Sequence, residues 1–136
     1  MARFVDSNVL LRYFTEDIPS LARAAEEIIE SDDELVVSAI VLSEVSYVLL
    51  KEYGRSRDEI LQVLIEFLQR ENVGVLDARK ELVVASLSRA RETTKLSFGD
   101  ALILAQMRSS GIRQIYSFDK DFRDPAIDVL EAPVAS

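Results

Sequence analysis

Short apolar runs alternate with longer helix-patterned segments along this chain, and that alternation constrains its fold more than any other feature. Residues 2–5 read as a strand, and 7–15 as a helix with Val9, Leu10, Tyr13 and Phe14 at helical spacing. A second helix is expected over 17–31, with Pro19 near its start. The buried strand "ELVV" (34–37) runs into a helix over 38–53 that Gly54 ends. Ser56 and Glu59 form a capping-box pattern at the head of a helix over 56–70. Strand 73–77, helices 78–92 and 97–111, strand 113–118 and a short strand 127–130 complete the series. Strands separated by helices imply an α/β fold around a mostly parallel sheet.

Composition narrows the chemistry. At 136 residues the whole chain, 1–136, is expected to be one domain with a substantial core. Its first residues read as a strand, without a basic segment leading into an apolar one, so no signal peptide is expected. The longest apolar tract, "LVVSAIVLSEVSYVLL", is too short and carries Glu44, so it belongs to the core and not to a membrane. The chain has no Cys and no His. That excludes disulfides, thiolate nucleophiles, Ser-His-Asp triads and the usual zinc sites. The missing cysteines fit a cytoplasmic protein. Gly54, Gly74, Gly99 and Gly111 stand alone, so no phosphate-cradling loop can be built. Any catalysis must come from carboxylates, hydroxyls, Lys or Arg, and a cation that prefers oxygen.

The topology makes scattered acids converge. In open parallel sheets ligands bind beyond the carboxyl ends of the strands. Asp6 follows the first strand and Asp119 follows "QIYSF", while Asp100 lies in the first turn of its helix and Glu44 within two turns of its own. All four can face one rim. Simpler roles compete for each. Asp6 can cap a helix, Asp100 can complete a capping box with Ser97, and Asp119 can turn the chain in "FDKDF". Glu44 resists such a reading, because Ile40, Val41, Tyr47 and Val48 surround it at helical spacing. A carboxylate on an apolar stripe is costly unless paired or metal-bound.

Taken together the acids need a counter-charge. Two carboxylates ~5 Å apart repel by about 3 kcal/mol at an effective dielectric near 20. Such a cluster holds protons or recruits a cation. Oxygen ligands select a hard ion, Mg²⁺ or Mn²⁺. That ion lowers the pKa of bound water and clamps phosphate oxygens.

The stretches "FVDSNVLL", "SEVSYVLL", "LSFGDALILAQM" and "IYSFDKDF" occur in the order and rough spacing of PIN-domain proteins. From Phe4 to Phe122 the chain resembles the VapC-type ribonuclease toxins of toxin–antitoxin pairs. The resemblance implies a three-layer α/β/α sandwich and a catalytic, metal-binding quartet of Asp6, Glu44, Asp100 and Asp119. It also implies Mg²⁺- or Mn²⁺-dependent cleavage of RNA, a homodimer, and a small VapB-like antitoxin whose tail enters the acidic groove. Asn8 and Ser117 match supporting polar positions; Asp121 ranks below Asp119, and Phe122 is expected in the core.

The net charge of −8 runs against nucleic-acid binding, where basic surface is usual. Four acids of the proposed cage account for part of it. Arg12, Lys51, Lys95, Lys120 and Arg123 remain as phosphate partners, each a solvated surface charge by default. Two other classes compete. A non-catalytic PIN-like module would act through protein binding, against which the intact acids count. A dehalogenase-like phosphatase needs a second Asp where Asn8 stands, and a glycosidase needs only two carboxylates and usually a tryptophan platform, which is missing.

Overall fold

The central strand β1 (Arg3–Val5) is hydrogen-bonded on both sides, and its Phe4 and Val5 are fully buried. Around it a computed structural model describes residues 2–92, 96–119 and 124–133 of the chain. After β1 come α1 (Ser7–Thr15), α2 (Pro19–Ile29), β2 (Leu35–Ser38), α3 (Ala39–Lys51) and α4 (Arg57–Leu68). Then follow β3 (Val73–Leu76), α5 (Lys80–Glu92), α6 (Phe98–Ser110), β4 (Gln114–Tyr116) and β5 (Asp128–Leu130). The five strands pair in the order β3-β2-β1-β4-β5, every pair parallel.

The expected elements are all present, most with ends moved by a residue or two. Helix α2 starts later than 17, for a local reason. Ile18 precedes Pro19 and is held extended (φ −120°, ψ 103°), since a residue before proline is driven out of the helical region. Asp17 is spent instead on Arg12, Thr15 and Tyr53. In α4 the Ser56 cap is formed: Glu59 N–H donates to Ser56 Oγ at 3.1 Å, while Glu59 Oε1 accepts from the Ser56 hydroxyl at 3.0 Å rather than from the Ser56 N–H of a full capping box. Helix α6 stops at Gly111 (φ 69°), whose N–H returns to the Arg108 and Met107 carbonyls. Strand β4 is shorter than 113–118, because Phe118 gives its N–H to the Asn8 side chain at 2.9 Å.

Strand order fixes where a site can form. From β1 the chain moves outward to β2 and β3, then crosses back to β4 on the other side of β1. The right-handed rule for parallel crossovers therefore places α1–α4 on one face of the sheet and α5–α6 on the other. The reversal lies between β1 and β4, and its carboxyl edge is the crevice where such sheets bind ligands. The apolar tract over β2 and α3 is core: β2 is buried throughout, and Val41, Val45 and Leu49 line the inner face of α3. Among the described residues no helix is long and apolar enough to cross a membrane.

Candidate active site

Asp6 sits at that crevice. Its N–H continues the β1–β4 ladder by donating to the Tyr116 carbonyl at 3.0 Å. Its side chain caps α1, with Oδ1 accepting from Ser7 N–H at 2.7 Å. Oδ2 accepts from Ser117 Oγ at 2.8 Å and from Asn8 Nδ2 at 3.4 Å. Asn8 Nδ2 also lies 3.2 Å from Ser117 Oγ. The capping reading and the site reading of Asp6 thus describe the same carboxylate. It is only 4% exposed, and among the described residues no cation pairs with it. Burial pushes its pKa up, against the Ser117 and Ser7 hydrogen bonds that pull it down, and Asp119 adds repulsion.

The other acids approach it from separate elements. Glu44, half-buried on α3, is hydrogen-bonded by Ser7; burial and then the charge of Asp6 raise its pKa. Asp100 in the first turn of α6 donates its N–H to Ser97 Oγ at 3.1 Å. Burial, then Asp6, and less strongly Asp119 and Glu44, lift its carboxyl to about 6 despite the Ser97 hydrogen bond. Asp119 follows β4, and its N–H donates to Ser117 Oγ at 3.1 Å. Each acid therefore feels at least one other, and Asp100 feels all three. Among the described residues no three acids stand close enough to hold a metal ion as they are.

Glu44 reaches this position for a reason the sequence pattern states only in part. Of its apolar neighbours at helical spacing, Val41 is fully buried and Ile40 and Val48 are partly so, while Tyr47 is exposed. What admits it is Gly99. A Cβ built on Gly99 would lie 2.2 Å from Glu44 Oε1, so the bare backbone of α6 leaves the space that the carboxylate occupies. Gly99 and Ser7 were not singled out from the sequence. A glycine inside the first turn of a helix, where it costs about 1 kcal/mol relative to alanine, was the available signal for the first. For Ser7 the signal was a hydroxyl next to the strand-end acid.

The candidate phosphate partners fare differently. The Arg12 guanidinium is held by Asp17, with both carboxylate oxygens at 3.0 Å, and approaches the Tyr53 hydroxyl at 3.4 Å. Lys51 is exposed in the last turn of α3. Lys95, Lys120, Asp121, Phe122 and Arg123 lie outside the described residues.

The parallel sheet and the carboxylates at its switch point define an α/β protein built around an acidic rim. The PIN domain family model matches residues 3–128, and the chain belongs to that family. No curated protein matches it by sequence. Among solved structures it is similar to VapC20 of Mycobacterium tuberculosis, described as a sarcin-ricin loop cleaving toxin. There the TM-score is 0.73 at 23% identity, covering 90% of this chain and 92% of that one. VapBC2 from Rickettsia felis, bound to a DNA fragment from its promoter, gives 0.70 at 16% identity over 96% and 98%. A toxin–antitoxin complex from Klebsiella pneumoniae gives 0.66 at 21% identity over 93% and 95%.

Proposed function

We propose that this chain is a single-domain, divalent-metal-dependent endoribonuclease, the toxin of a toxin–antitoxin pair, working in the cytoplasm as a homodimer. One observation carries the reading: carboxylates from β1, α3 and α6 meet at a single rim beside Asp119 at the end of β4, and burial together with neighbouring negative charge raises the pKa of Asp6, Glu44 and Asp100. The likeness to VapC and VapBC proteins supports the same choice and favours an antitoxin partner. A groove of about 440 Å³ between α1, α2 and α4 is lined by Phe14, Val63 and Phe67 together with Glu16, Glu26, Glu30, Glu66 and a single cation, Arg70. Apolar and mostly acidic lining together suit a basic amphipathic segment.

The donor set fits a hard cation, because it offers oxygens and the chain has neither His nor Cys. Asp6, Glu44, Asp100 and Asp119 would hold Mg²⁺ or Mn²⁺, which supplies charge neutralisation for a phosphodiester and an acidified water. Ser117 and Asn8 fix Asp6, Ser7 orients Glu44, and Ser97 anchors Asp100. With no histidine to activate a ribose 2′-hydroxyl, the products are expected to carry 5′-phosphate and 3′-hydroxyl ends. The test is a nuclease assay of purified protein with Mg²⁺ or Mn²⁺ beside folded Asp6→Asn. Loss of cleavage in that variant and in EDTA is the expected result. Retained cleavage in either, or dependence on the 2′-hydroxyl at the scissile position, contradicts it.

A further inference from the structure

Tyr47 is 64% exposed, the most exposed large apolar side chain among the described residues. The fold gives it no reason to be aromatic, because α3 packs inward through Val41, Val45 and Leu49 on its other face. Its place on the helix is informative. Glu44, Tyr47 and Lys51 share one face, at spacings of three and four residues, so an acid of the rim, an aromatic ring and an exposed cation follow one another away from the site.

The charge balance shows what such a ring is for. A chain of net charge −8, whose Arg12 is already engaged by Asp17, has few described cations near the rim for phosphates. Contacts other than charge can then help to hold a strand at the rim. Every unpaired base offers a π-face, and stacking on an aromatic side chain is the sequence-tolerant means of holding it. Base-paired RNA hides those faces inside the helix, so a stacking grip also selects single strands and loops. We propose that Tyr47 is the base-stacking platform of this site, with Lys51 on the adjoining phosphate. The inference rests on the nuclease reading of the acidic rim.

Binding is measured first, by fluorescence anisotropy in the Asp6→Asn background. The probe is a fluorescein-labelled, mixed-sequence, single-stranded oligoribonucleotide roughly ten nucleotides long. Tyr47→Ala is expected to weaken binding about tenfold, while Tyr47→Phe, which keeps the ring, stays within about twofold of the parent. The same oligonucleotide annealed into a duplex binds weakly and is indifferent to the substitution. In the protein with Asp6 intact, Tyr47→Ala raises KM about tenfold with kcat held within about twofold. Unchanged affinity in Tyr47→Ala overturns the proposal, as does an equal loss in Tyr47→Phe. A dimer that becomes a monomer on Tyr47→Ala, read by size-exclusion chromatography, also overturns it and assigns the ring to a second copy of the chain. Full cleavage by Asp6→Asn overturns the nuclease reading instead, and the anisotropy series still decides whether the ring holds RNA.

Discussion

Ser117 Oγ donates to Asp6 Oδ2 at 2.8 Å, joining the end of β4 to the end of β1 across 111 residues of sequence. Both side chains are buried. Replacing Ser117 with Ala leaves a buried carboxylate oxygen short of a donor, at a cost of about 1–3 kcal/mol. Urea unfolding is expected to show a lower midpoint with an unchanged slope. Because this bond pulls the Asp6 pKa down, its loss moves that pKa further up, and the acid limb of a nuclease pH profile shifts to higher pH. An unchanged profile would mean that Ser117 serves the fold alone.

Gly99→Ala separates stability from activity. The added Cβ meets Glu44 Oε1 at 2.2 Å, but that oxygen ends a flexible side chain and can swing aside at little cost. The helix meanwhile gains from alanine, by up to about 1 kcal/mol. The thermal midpoint should hold or rise while cleavage falls at least about tenfold, the size expected when a preorganised charged group is misplaced. In a Glu44→Ala background Gly99→Ala should cost nothing more in activity, since both substitutions remove the same carboxylate. Additive losses would place the effect elsewhere.

Much of this arrangement is legible in the sequence, for topological reasons. Apolar runs alternating with helical periodicity dictate a parallel sheet, and a parallel sheet sends its strand-end acids to one edge; Asp6 and Asp119 needed nothing more. Glu44 was selected for a reason that holds only in part. Spacing shows which residues share a helix face, not whether that face is buried, and Tyr47 turns out exposed. Gly99 and Ser7 stayed hidden because their roles exist only once α1, α3 and α6 meet. Arg12 looked available to phosphate because its partner Asp17 lies beyond the end of α1, where Glu16 turns left-handed (φ 55°) and brings the acid back.

Protons and divalent ions should compete at the rim. The Asp100 carboxyl is raised from 3.8 to about 6 in the folded protein. A raised folded-state pKa means that the native chain binds the extra proton between those values. Its stabilising contribution is full below 3.8 and is lost as pH rises through about 6. Above that pH the charged rim is where a cation gives most. At a free Mn²⁺ concentration a hundred times its Kd, stabilisation reaches about 2.7 kcal/mol, or several degrees in Tm. Thermal scans should show this gain at pH 7.5 and little of it at pH 5. Calorimetry in buffers of different ionisation enthalpy should show protons released on binding near pH 6. An Mn²⁺ shift that is equal at both pH values, or that survives Asp100→Asn, would remove Asp100 from the ion site.

Asp124 should respond to pH in the opposite sense. Its side chain is 1% exposed and is shared by Arg89 of α5 and Arg108 of α6, while the Ala126 N–H donates to it at 2.8 Å. Burial raises its pKa, but the Ala126 N–H and the two guanidiniums outweigh that and hold it below the usual carboxylate value of 3.8. A depressed folded-state pKa gives stability that is present above 3.8 and lost as pH falls through the lower value. Asp124→Ala frees two guanidiniums that are only partly solvated and leaves the Ala126 N–H without its partner. A loss of about 1–3 kcal/mol is expected near neutral pH, below that of a fully buried pair because both arginines reach solvent. Urea titrations of parent and variant should differ by this amount at pH 7, and the difference should shrink as pH falls below 3.8. The joint they report ties α5 and α6 to the segment entering β5, on the far side of the sheet from the groove, so parallel curves at every pH would show that packing alone holds those helices in place.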